Sequence, residues 1–146
     1  MTKNLIYIYL FSGFLFSCSM LNGTSKKFSR TIEKPFDLQG ISDDPTYGLT
    51  PENPIQVGGV KNGSGAANER RYLNALTGPN GKVLKYYRAG SCCPFKSKNA
   101  LFGDHVLLDK YIVKWKGSKE TKEIYINMYD KGILKAPVGF KIYKPQ

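Results

Sequence analysis

The segment from Val106 to Trp115, with the sequence VLLDKYIVKW, decides the fold class because charged and apolar side chains alternate along it. In an extended strand, Tyr111, Val113 and Trp115 share one face. The other face carries three lysines, which are Lys110, Lys114 and Lys116. A sheet with one buried side and one solvated side has this pattern, and such sheets are antiparallel.

Two neighbouring segments extend the pattern to a small sheet. The stretches 83–89 and 123–129 are rich in aromatic and β-branched residues, and the sequence KGSK at 116–119 predicts a turn. Further towards the N-terminus, Ile55-Gln56-Val57 predicts a short extended segment. These segments are typical of antiparallel strands that follow one another in a meander.

One helix is predicted between the short extended segment and the sheet. Ser64 is a suitable N-cap, and Glu69 is near enough to the N-terminus to interact with the helix dipole. Leu73 and Leu76 provide apolar contacts, and Gly78-Pro79 ends the helix. The predicted fold class is therefore α+β: a small antiparallel sheet of three to four strands, with one main helix packed on it.

The N-terminus has the features of an export signal. The apolar run from Leu5 to Phe16 follows Lys3 and is shorter than the roughly twenty residues of a membrane-spanning helix. Leu15, Ser17 and Cys18 resemble the lipobox of bacterial lipoproteins, in which the matching cysteine is acylated, for example with palmitate. Ordinary secretion, a retained anchor and a buried strand are the alternatives.

These features divide the chain into three segments. We expect a signal peptide at 1–17, a flexible tether at 18–40 that is rich in polar residues, and a single α+β domain at 41–146. Several acyl chains would hold the protein on a membrane. The expected location is the cell envelope, at the periplasmic face of the outer membrane or at the cell surface.

The chain is strongly basic, with 22 Lys and Arg against 11 Asp and Glu, and it keeps a net charge of +10 when Lys3 is removed with the signal. This charge favours an anionic lipid surface or an acidic glycan as a partner. Export makes nucleic acid the least suitable partner. Because the lysines are spread along the chain, a generally solvated basic surface is the alternative.

Adjacent cysteines, Cys92 and Cys93, follow Ser91 and precede Pro94. Export favours oxidation, but neighbouring α-carbons are about 3.8 Å apart and a disulfide prefers at least about 4.4 Å. The sequence leaves open two structural thiols, a strained pair that fixes a turn, and a redox switch. Intermolecular pairing is a further alternative. Two cysteines and one histidine are too few for a structural zinc site, so no metal or cofactor is expected.

A cysteine nucleophile is a separate hypothesis. The sequence GSCCPF has a superficial likeness to the segment around a papain-type nucleophile, whose histidine lies about 130 to 150 residues downstream. Here His105 lies 13 residues after Cys92. Catalysis would need His105 and either Asp104 or Asp109 to converge on the thiol. The alternative for His105 is a turn residue.

The sequence GGVKNGSG at 58–65 leads from a strand to a helix, a setting in which backbone amides bind phosphate. The candidate anion-binding residues are Gly63, Ser64, Arg70 and Arg71, with Arg88 as an additional cation. Ser64 stands where a Walker loop has lysine. A plain mobile loop is the alternative.

Tyrosines are frequent in the predicted sheet, namely Tyr86, Tyr87, Tyr111, Tyr125 and Tyr129. Alternation of tyrosine and lysine suits a carbohydrate or peptide surface. Alternatively, the rings fill the half-buried face of the sheet.

Five motifs carry a resemblance to a known family. They are YGLTPENPIQVGG at 47–59, ERRYLNAL at 69–76, GSCCPF at 90–95, INMY at 126–129 and APVGF at 136–140. The chain resembles a family of short, uncharacterised bacterial lipoproteins, some of which carry the name 2-dehydro-3-deoxyphosphooctonate aldolase. The aldolase of that name is a (β/α)₈ barrel, which needs roughly 250 residues. The resemblance implies no catalytic residues.

We therefore expect a lipid-anchored envelope protein with a non-catalytic role in binding or envelope maintenance. The alternative is an enzyme, either the named aldolase or a thiol-dependent activity at Cys92 and Cys93.

Overall fold

The computed structural model describes residues 26–145. In chain order the elements are β1 (Ile55–Gln56), a 3-10 turn (Val60–Asn62), α1 (Gly65–Asn74), β2 (Leu76–Thr77), β3 (Leu84–Lys96), β4 (His105–Trp115), β5 (Lys122–Asn127) and β6 (Lys141–Ile142). The predicted signal peptide, Cys18 and the first part of the predicted tether lie outside the described residues.

The main sheet has four strands in the order β1-β5-β4-β3, and a second, two-stranded sheet pairs β2 with β6. Strands β3, β4 and β5 form the antiparallel meander that the alternation predicts. Strand β1 joins β5 in parallel, with Ile55 opposite Ile126. The predicted α+β class, with one helix and a small sheet, is confirmed, and the parallel edge strand makes the sheet mixed.

The core lies between α1 and one face of the sheet. Val113, Ile124 and Leu84 from the strands are fully buried, as are Tyr72 and Leu73 from the helix. Lys114 and Lys116 are exposed on the opposite side. The division of β4 into a buried face and a lysine face is therefore as predicted.

The helix is shorter than predicted, because Leu76–Thr77 leaves it to form β2. Leu76 pairs with Ile142, and this pairing replaces the last predicted helical turn. The hydroxyl of Ser64 makes no cap to α1 and lies 2.5 Å from Oδ1 of Asn62 instead. Gly78 follows β2 at a point where a β-carbon would overlap the indole of Trp115.

The segment 26–40 differs from the predicted flexible tether, because it lies along the domain and is bonded to it. Ser29 and Tyr86 exchange two backbone hydrogen bonds of 3.1 and 2.8 Å at the edge of β3. The buried Asn74 amide donates to the carbonyls of Thr31 and Glu33 at 3.1 and 2.8 Å. Polar residues of this segment thus satisfy a buried polar group. Among the described residues, the chain is therefore hydrogen-bonded to the domain well before residue 41.

Candidate functional site

Strand β3 runs through both cysteines and is interrupted by register shifts between Arg88 and Gly90 and between Cys92 and Pro94. Cys93 has a φ of +49° and is the one non-glycine residue between 26 and 145 with a positive φ. The sulfurs of Cys92 and Cys93 are joined in a disulfide, with α-carbons 3.8 Å apart. Of the alternatives for these two cysteines, the structure therefore shows a bond between neighbours. The bonded pair lies at a bulge within strand β3 and not in a turn.

The structure separates the residues of the nucleophile hypothesis. Cys92 lies opposite Leu108 in the ladder, whereas His105 lies opposite Lys96. Leu108 is three positions along the strand from His105, which corresponds to about 10 Å. His105 is instead paired with its exposed neighbour, with Nδ1 2.6 Å from Oδ1 of Asp104. Cysteine, histidine and aspartate do not converge.

Asp109 belongs to a buried polar cluster on the inner face of the sheet. Arg88 donates two hydrogen bonds to its carboxylate, at 2.5 and 2.7 Å. The hydroxyl of Ser91 donates a third at 3.1 Å. Asp109 is 4% exposed and the Arg88 side chain is 46% exposed, so the guanidinium links a buried carboxylate to solvent. This bidentate pair fixes the part of β3 just before the disulfide.

Glu69 is a second buried acid, close to Asp109, and it is not among the predicted site residues. It is 0% exposed, and the hydroxyl of Tyr111 donates a 2.9 Å hydrogen bond to its Oε2. Burial, together with the charge of Asp109, raises the pKa of Glu69 to about 8. The carboxyl is therefore mainly protonated at neutral pH. The predicted interaction of Glu69 with the helix dipole is wrong, because its side chain points into the core.

The predicted anion loop lies between β1 and α1, as expected, but its arginines are engaged elsewhere. Arg70 forms an ion pair with Glu33. Arg71 donates to the carbonyl of Lys34 at 3.0 Å, and its guanidinium lies 3.9 Å from the centre of the Phe36 ring. Arg88, the additional cation, belongs to the Asp109 cluster. The three arginines therefore do not converge on the N-terminus of α1.

Two of the predicted anion-binding residues do share a groove. Ser64 and Arg71 line an open cavity of about 300 Å³, to which Asn62, Asn68 and Lys131 also contribute. Gly63 is adjacent in sequence, and Arg70 is absent from the lining. The groove is polar and cationic. Phe36 also lines it and belongs to residues 26–40, which we call the N-terminal segment.

The solvated side of the sheet forms a second cationic surface, which we call the outer lysine face. It consists of Lys85, Tyr87, Lys110, Ile112 and Lys114 together with Lys26 and Phe28. Lys85 lies directly opposite Lys114 in the ladder. Lys110 is neutralised by Glu123 at 3.2 Å.

Aromatic rings from the N-terminal segment and from β3 meet on this face. Phe28 packs edge-on against Tyr87, with ring centres 4.8 Å apart. The ammonium of Lys114 lies 4.1 Å from the centre of the Phe28 ring, and that of Lys26 lies 5.6 Å from the centre of Tyr87. Tyr86 and Tyr111 fill the core, as one of the two interpretations of the tyrosines predicts, whereas Tyr87 lies on the lysine-rich side.

Residues 26–145 contain neither a metal-binding cluster nor a membrane-spanning helix. No cluster of three or more His, Cys, Asp or Glu side chains in that range is arranged to hold a metal ion. No helix in the same range has the length and apolar character to cross a bilayer.

The chain matches no protein-family model, no curated protein and no solved structure. The features of the chain that bear on function are therefore its own surfaces, among them the outer lysine face.

Proposed function

We propose that this chain is a lipid-anchored protein of the bacterial cell envelope that acts by binding an anionic surface and not by catalysis. Acylation of Cys18 would supply the anchor, and the basic domain would supply the binding. The resemblance to short bacterial lipoproteins supports the anchor.

The pairing of Lys85 with Lys114 is the observation that carries the binding role. Like charges directly opposite each other in neighbouring strands destabilise a sheet. Glu123, the acid that faces this side of the sheet, pairs with Lys110, at 3.2 Å. An anionic partner would relieve the repulsion between the two lysines.

The state of the reactive side chains also favours binding over catalysis. Cys92 and Cys93 are bonded to each other, and His105 is paired with Asp104. A thiol-dependent enzyme would first need this disulfide to be reduced. The named aldolase would need a barrel of eight β/α units, and the described domain has one helix.

The Cys92→Ser/Cys93→Ser variant separates binding from thiol chemistry. A binding protein should retain its affinity for anionic vesicles within about twofold, provided that its circular dichroism is unchanged. Loss of affinity in a folded variant would contradict a binding role that is independent of the thiols.

The anchor is tested by mass spectrometry of the native polypeptide purified from membranes. We expect an N-terminus at Cys18 that carries the mass of fatty acyl chains. The Cys18→Ser variant should lack this mass and leave the membrane fraction. An intact Met1, or a processed chain with an unmodified thiol at Cys18, would overturn the proposed anchor.

A further inference from the structure

We infer that the outer lysine face docks directly on an anionic lipid bilayer, so that the domain lies against the membrane. The inference deepens the proposed function and rests on it for the lipid anchor. It names the surface of the domain that faces the membrane, and it assigns Lys26, Lys85 and Lys114 to contact with lipid headgroups.

The course of the N-terminal segment is the first argument. Ser29 is bridged to Tyr86 on β3, and the ammonium of Lys26 donates to the carbonyl of Ala89 at 3.3 Å. The chain therefore approaches the domain along the β3 edge of the outer lysine face. Phe28, in the same segment, lies on that face against Tyr87.

The length of chain before Lys26 is the second argument. Cys18 precedes Lys26 by eight residues, which span at most about 28 Å when fully extended. A tether extending to residue 40 would leave the orientation of the domain free. Because the segment from Lys26 onwards is held on the domain, an acyl group at Cys18 would keep the outer lysine face within reach of the bilayer.

Charge and aromatic character are the third argument. A basic residue close to an anionic bilayer strengthens binding by about fivefold. The side chains of Lys85 and Lys114 are exposed, and their charges face the same side of the sheet. Phe28 and Tyr87 lie among these charges, as aromatic rings do at membrane interfaces. The face therefore has both kinds of side chain that headgroups attract.

The experiment uses the mature chain from residue 18 with Cys18→Ser, which cannot be acylated. Its co-sedimentation is measured with vesicles of phosphatidylglycerol and phosphatidylcholine, and with vesicles of phosphatidylcholine alone. We expect binding to the anionic vesicles at low salt that weakens steeply as salt is added, and no binding to the neutral vesicles.

The site is tested with two variants that lose the same net charge. Lys85→Gln/Lys114→Gln should weaken vesicle binding on the order of 10- to 30-fold. Lys61→Gln/Lys141→Gln changes two exposed lysines outside the outer lysine face and should weaken it by no more than about threefold. Equal losses in the two variants, or no loss in the first, would overturn the inference.

Folding is monitored by the thermal unfolding midpoint. Lys85→Gln/Lys114→Gln should unfold within a few degrees of the parent chain, because the removal of a like-charge pair offsets the loss of the contact between Lys114 and the Phe28 ring. If it fails to fold, Lys26→Gln, which lies outside the strands, provides a second test with an expected loss of about fivefold.

A soluble polyanion distinguishes a membrane from an acidic glycan. Tighter binding to dextran sulfate than to the anionic vesicles, with the same two lysines required, would overturn the membrane assignment. The vesicle result does not depend on acylation, whereas the mass of the native N-terminus does. Failure of the docking surface and failure of the anchor are therefore seen in different measurements.

Discussion

At the scale of single residues, Glu69 is the most unusual group in the domain. It is fully buried, and its Oε1 has no hydrogen-bond partner among the described residues. Asp109 nearby is already bonded to Arg88. A second carboxylate charge in this place would be costly, so the protein keeps Glu69 protonated at neutral pH.

This buried acid predicts that the domain becomes less stable as the pH rises from 5 to 8. The pKa of Glu69 is about 8 in the folded chain and near 4.5 when it is exposed to solvent, so the folded state binds more protons in this range. Stability is therefore greatest below about pH 4.5 as far as this group is concerned. Between these two pKa values it falls by at most about 1.4 kcal/mol per pH unit, and the slope diminishes as folded Glu69 ionises near pH 8.

The measurement is urea unfolding of the wild type and of Glu69→Gln at pH 5, 6.5 and 8. Glutamine resembles the neutral acid and can accept the hydrogen bond from Tyr111. The variant should therefore show a much flatter profile and exceed the wild type in stability at pH 8. Glu120→Gln, which removes an exposed acid, should keep the wild-type slope. An unchanged slope in Glu69→Gln would show that another group causes the dependence.

At the scale of elements, the N-terminal segment is the part of the fold whose structure is least predictable from its amino-acid composition. Its polar residues are typical of a linker, yet they complete the hydrogen bonds of α1. Besides the bonds to Asn74, the amide of Phe36 donates to the carbonyl of Arg71 at 3.3 Å, and Arg30 donates to the carbonyl of Asn74 at 2.8 Å. The segment thus donates hydrogen bonds to backbone carbonyl groups in the C-terminal turn of α1, a helix that has no glycine C-cap.

We predict that the amides of Ser29, Phe36 and Tyr86 exchange slowly with solvent deuterium. Ser29 and Tyr86 bond to each other, and a flexible tether would leave Ser29 unprotected. Asn74→Ala removes the donor to Thr31 and Glu33, and it should speed the exchange at Ser29 by about tenfold or more.

Asn80→Ala is the matched control for this exchange experiment. It removes an exposed amide that donates to Lys116 at 2.9 Å, at a site remote from the segment. The exchange at Ser29 should then be unchanged. Exchange at Ser29 at the rate of an unstructured peptide in the wild-type chain would contradict the bonded arrangement.

Sequence predicts those elements whose structure depends on the pattern of neighbouring residues. Strands β3 to β5 and the side of β4 that faces the core follow from alternation, which is a property of neighbouring residues. The parallel pairing of β1 and the end of α1 at Asn74 depend on partners far along the chain, Ile126 and Ile142. The pattern around them contains no signal of these partners.

The candidate sites show the same division. The alternation of β4 predicts that Lys110 and Lys114 lie on the outer face, whereas no local pattern predicts that Phe28 lies beside them. The buried position of Glu69 had a usable signal, because Glu69, Tyr72, Leu73 and Leu76 recur at the spacing of one helix face. Proximity in sequence predicts that Arg70 and Arg71 bind an anion. In the structure, both arginines instead contact the N-terminal segment, at Glu33 and Lys34.

At the scale of the whole molecule, the outer lysine face and the attachment of residues 26–29 to β3 lie on a common side. The domain has 21 basic side chains in residues 26–145 against 11 acidic ones, so cationic groups occur in every region. The outer lysine face differs from the other regions because two lysines face each other and aromatic rings lie beside them. Orientation at a membrane would follow from this arrangement and not from net charge.

The interruptions of β3 have a consequence for self-association. β3 is the last strand of the main sheet, and an unpaired edge strand can recruit the same strand of another molecule. Ser29 covers the edge at Tyr86. Further along β3, one bulge between Arg88 and Gly90, a second between Cys92 and Pro94, and Pro94 itself, which has no amide hydrogen, break the row of donors. We therefore expect molecules of this protein to remain separate even at high local concentration, without assembling edge to edge into fibrils.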